Sequence, residues 1–62
     1  MTPEERQDAL AKLRQRLWFL EARLKDVSHE PALAARVRGE KVSYYTTAIA
    51  EARGRLRDLE GH

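Results

Sequence analysis

Sixty-two residues make at most one small domain, and a chain of this length buries only about 60% of the surface its unfolded form exposes. The absence of cysteine excludes a disulfide or a thiolate zinc site, and two histidines offer little to any other metal. Charged residues make up 35% of the chain with both signs interspersed; the net charge of +2 and pI near 9.4 are too weakly basic to argue for nucleic acid by themselves.

With no staple available, the expected route to stability is self-association or docking on a larger partner. No apolar run reaches the ~20 residues that a membrane span needs. The opening Met1-Thr2-Pro3-Glu4-Glu5 is acidic, unlike a signal peptide. A soluble, cytoplasmic protein is the expectation.

Thr2-Pro3-Glu4-Glu5 reads as a helix start. Thr2 can cap, Pro3 suits the first turn, and Glu5 completes a capping box. The predicted first helix then runs without Gly or Pro from about residue 3 to 27. Leu10, Leu13, Leu17, Leu20, Leu24 and Val27 alternate steps of three and four residues, which on a helix draws one apolar stripe. Trp18 and Phe19 sit between its rungs and point away from it. With Ala11, Gln15 and Ala22 they form a second, smaller apolar face. A helix with a leucine seam on one side and two large aromatics on the other requires two different neighbours.

Ser28-His29-Glu30-Pro31 is the expected break. Pro31 disfavours helical geometry at Glu30 and fits the first turn of a new helix. Ser28 or Glu30 could cap that helix; Ser28 is favoured, with Val27 as the apolar residue before it. A turn of about 28–30 makes the two helices antiparallel neighbours.

The second helix is predicted over about 31–59, ended by Gly61. Val42, Tyr45, Ile49, Ala52, Leu56 and Leu59 supply a second stripe of six rungs. Traced backwards from Val42, this stripe meets Arg38 and Ala35, whereas the apolar residues available are Leu33 and Val37. Either the helix kinks at Gly39 and resets its phase, or Arg38 and Lys41 lie near the seam with their charged ends reaching water; one continuous helix with a wide mixed face is the plainer expectation. Tyr44 falls at the edge of the seam, near Val37 and Ala48.

Exposed aromatics flanked by small residues mark interfaces, so Trp18, Phe19, Gln15 and Ala22 are the candidate partner-binding residues. Lys12, Arg16 and Arg23 share a flank of the first helix with Phe19, and a basic face with a ring at its centre is a candidate nucleic-acid surface. His29 in the turn and His62 at the terminus have no ligand set around them. No Ser/His/Asp grouping, phosphate loop or paired acid can be assembled, so neither catalysis, a cofactor, a metal nor a small-molecule substrate is expected.

In length and two-helix layout the chain resembles the plasmid-encoded repressor-of-primer family, small hairpins that dimerise into four-helix bundles and bind RNA hairpins. Phe19, flanked by Gln15 and basic residues, is similar to that family's RNA-binding face in residue type but not in spacing. The resemblance implies dimerisation first and RNA binding second. The expected fold is therefore all-α, an antiparallel hairpin pairing with a second copy into a four-helix bundle. The expected function is a non-enzymatic module that self-associates and binds a protein partner; the alternative is an RNA-binding regulator.

Overall fold

Two apolar stripes of matched length can hide much of their surface against each other, and the chain folds them face to face. The computed structural model describes residues 1–61; His62 lies outside the described residues. Helix α1 spans Pro3–Ser28 and helix α2 spans Ala35–Glu60, 26 residues each, with no strand among the described residues. The hairpin is a rod of 46 × 14 × 12 Å. No helix of the described residues is long and apolar enough to cross a membrane.

Each of the twelve seam positions is buried or half-buried. Leu10, Leu17, Leu20 and Val27 of α1 and Ile49 and Ala52 of α2 form the buried set. At its centre Leu17 and Leu20 meet Ile49 and Ala52, with Leu24, Tyr45, Ala48 and Leu56 packed around them. No side chain of the described residues is wholly enclosed, because two helices touch along a line and a third surface is needed to close a core. Two ion pairs tie one edge of the hairpin in a common register: Arg53 to Glu21 at 2.9 Å and Arg14 to Glu60 at 3.2 Å. Both are about half exposed, and pairs of that kind are worth roughly 0–1 kcal/mol.

The start of α1 follows its sequence signals. Thr2 Oγ1 accepts the Glu5 N–H at 3.1 Å, and the Thr2 hydroxyl donates to the Glu5 carboxylate at 3.2 Å. The box is thus closed through the hydroxyl rather than through the Thr2 backbone N–H.

The link departs from expectation. Residues 29–34 join the helices, so α2 begins at Ala35 rather than Pro31 and the turn is longer than 28–30. Ser28 does not cap α2. It is the last residue of α1, and its hydroxyl donates to the Leu24 carbonyl at 2.8 Å. Two contacts explain the delay. The Glu30 carboxylate takes the Ala32 N–H at 3.0 Å, a local turn that competes with helix. Arg38 Nη2 donates to the carbonyls of Glu30 and Leu33, which a helix begun at Pro31 would need as acceptors.

The phase conflict at Arg38 is resolved the same way. Helix α2 passes through Gly39 without interruption, Arg38 occupies a half-buried seam position, and Lys41 stays exposed. Leu33 falls outside the helix altogether. A Cβ at Gly39 would meet nothing within 4 Å. Gly39→Ala is therefore expected to stabilise the hairpin by about 1 kcal/mol, read from the urea midpoint; a loss of stability there would reveal a bend that the glycine permits.

The N-cap of α2 is Ala34, which offers no side-chain hydrogen bond, and the first turn of α2 carries no acid. Ala34→Asp supplies both the missing acceptor and the charge that complements the helix dipole. A gain of about 1 kcal/mol is expected by thermal denaturation; an unchanged midpoint would mean that the helix does not begin there.

Candidate functional site

The seam fixes which way everything else on α1 points. At about 100° per residue, Trp18 and Phe19 each lie about 130° round the helix from the mean direction of the leucine stripe, one on either side. That places both rings on the outer face, away from α2. The exposures agree: Trp18 is 72% exposed and Phe19 55%. Gln15 and Ala11, also exposed, share the face, and Ala22 is half-buried one turn beyond the rings. The fold thus brings all four predicted partner-binding residues, Gln15, Trp18, Phe19 and Ala22, onto one surface that no other part of the hairpin reaches.

The predicted basic flank is also contiguous, but its charges have acids beside them. Lys12 Nζ lies 3.0 Å from Asp8. Arg16 lines a recess between the helices with Arg55 and Glu51. Arg23 borders Asp26 and Lys41, and its guanidinium is held above its ordinary pKa chiefly through the hydroxyl of Tyr45 on the facing helix. Phe19 therefore borders a mixed surface rather than a uniformly basic one.

On α2, Tyr44 is 64% exposed and stands edge-on to Tyr45, ring centres 5.3 Å apart at 76°. The sequence placed it at the rim of the seam; the packing leaves it largely in water, held only along one edge.

No family model, curated protein or solved structure matches this chain. What the site can bind follows from its own geometry.

That geometry offers little to a small molecule. An open groove of about 380 Å³ runs along the edge tied by the ion pairs, floored by Leu24 and Ile49 and walled by Glu21 and Arg53. Two of its polar groups, Glu21 and Arg53, are already paired with each other, whereas ligand sites usually present free ones above an apolar floor. Among the described residues no cluster of His, Cys, Asp or Glu could hold a metal ion.

Sequence reasoning missed Arg38 as the residue that shapes the link and the pairs that cross between the helices. The misplaced arginine on the apolar stripe was the available signal for the first. The second had a weaker one: Arg14 with Glu60 and Arg53 with Glu21 become neighbours only once the antiparallel register is known.

Proposed function

We propose that this chain is a non-enzymatic interaction module, a small cytoplasmic adaptor or regulator. The outer face of α1 is its contact surface for another polypeptide, and the module self-associates so that four helices make up the assembly. The observation that supports this reading is the pair of wet rings, Trp18 and Phe19, side by side on a face that the hairpin has no further element to cover. Aromatic side chains dominate binding energy at interfaces and bring about 150–250 Å² each. A hairpin with no enclosed side chain has little core of its own, so burial on a partner is where it gains further stability.

The nucleic-acid reading, through Phe19, Lys12, Arg16 and Arg23, has less behind it. Cations with acids beside them release fewer counterions on meeting a phosphate backbone, and that release supplies most of such affinity. Its signature would be steep salt dependence of binding to an RNA hairpin, lost in a Phe19→Ala variant.

The chain has one tryptophan, so the test reads the site directly. Trp18 emission is expected to be that of a wet indole in dilute protein and to move to the blue as concentration rises. The apparent mass from light scattering should rise with it. Phe19→Ala should keep the helical signal and require at least about tenfold more protein for the same shift, the equivalent of about 1.4 kcal/mol. An indole that stays wet in a chain that stays single at every concentration, and with an RNA hairpin alone bringing a shift, would overturn the reading.

A further inference from the structure

The outer face of α1 has a register of its own. Asp8, Ala11, Gln15, Trp18, Ala22 and Lys25 repeat steps of three and four residues, a second stripe on the side away from α2. Its ends carry opposite charges, and its middle runs small, large, large, small through Ala11, Gln15, Trp18 and Ala22. We infer that the partner on this face is a second copy of the chain, with its α1 running antiparallel about a two-fold axis between Gln15 and Trp18. The inference rests on the proposed function and names the occupant of the same face.

In an antiparallel pair each residue meets the one equally far from the axis. Asp8 then faces Lys25 of the second copy, Ala11 faces Ala22, and Gln15 faces Trp18, with every contact made twice. On the flanks Lys12 comes over Phe19 of the second copy, a cation on a ring, and Arg14 comes near Glu21. The like-charged approach, Glu5 with Asp26, falls at the outer ends where both side chains face water. The two alanine layers let the backbones approach closely on either side of the aromatic centre. A parallel pair in register does the reverse: it sets Asp8 against Asp8 and Lys25 against Lys25, repulsive at both ends.

The direction of the face also sets the architecture. It lies nearly opposite the leucine seam, so the assembly is a single layer ordered α2, α1, α1, α2 rather than four helices around one shared core. Its size predicts a weak dimer. At their observed exposures the four rings contribute roughly 600 Å², about half of the ~1,200 Å² at the lower end of specific interfaces. The remainder falls to Gln15, the alanines and the flanks.

The chain contains no cysteine, so orientation can be read by introducing single thiols. Full-length Ala11→Cys and Ala22→Cys variants are mixed and equilibrated in a glutathione redox buffer. The antiparallel pair predicts the mixed disulfide in at least about tenfold excess over either homodisulfide, since only that pairing brings the Cα atoms within bonding range. Homodisulfides in excess mean a parallel pair, and a statistical mixture means no pairing on this face; either overturns the inference.

A charge reversal gives a second readout that needs no new bond. Lys25→Asp should weaken the dimer several-fold and the double variant Asp8→Lys with Lys25→Asp should restore it; no restoration counts against the antiparallel register. The Trp18 emission shift separates the two levels of failure. A shift that persists while the disulfides come out statistical leaves self-association through Trp18 standing and removes the antiparallel pairing of the two α1 helices. A shift that never occurs removes both.

Discussion

Leu20→Ala is expected to bring the chain close to its unfolding midpoint at room temperature. Leu20 is 4% exposed and sits between Leu17 on its own helix and Ile49 and Ala52 on the other. Removing a buried leucine side chain costs about 2–5 kcal/mol through lost transfer energy and the cavity left behind. A core in a chain this small rarely supplies more than about 3–5 kcal/mol in all. The site is open at its edges, so the helices can close partly over the gap, and the lower half of the range is the fair expectation. Even that removes most of the margin. Circular dichroism would show a large loss of the helical signal and a melt without a folded baseline. Leu20→Met, which conserves volume, should cost less than about 1.5 kcal/mol. If Leu20→Ala melted like the parent, the seam would not be where the chain finds its stability.

The seam could be read in the sequence because its signal is dense and local. Six apolar residues at alternating three- and four-residue steps leave one helical solution, and Gly and Pro are absent from residues 4–30. The outer face was legible for the same reason: once the leucines fix a direction, Trp18 and Phe19 can only point elsewhere. The link was not legible. Pro31 is a strong local signal for a first helical turn, and nothing near it argues otherwise except Glu30. The deciding contact comes from Arg38, eight residues downstream of Glu30 and beyond the span of any turn or capping rule. Capping rules also favoured Ser28, whereas the residue that begins α2 is Ala34, which carries no capping group. Sequence patterns report what a segment prefers by itself; a link is settled by what the two elements leave room for.

Arg38→Ala should therefore destabilise the hairpin by about 2 kcal/mol although it removes no ion pair. Two donations from a charged group are lost, to the carbonyls of Glu30 and Leu33, and hydrogen bonds of that kind are worth about 1.5–3 kcal/mol. Neither acceptor is sealed from water, which argues against the upper end. The aliphatic stem is lost as well, at a seam position where it extends the apolar stripe toward the link. Arg38→Met separates the two contributions. It keeps a stem of similar length and removes the guanidinium, including an Nε that is buried without a partner and whose desolvation works against folding. If the donations to the link dominate, the methionine variant melts below the parent and above the alanine variant. If it melts above the parent, the guanidinium is a net cost at this position. The late start of α2 then belongs to Pro31 and the Glu30–Ala32 turn alone, and the arginine on the stripe only fills space there.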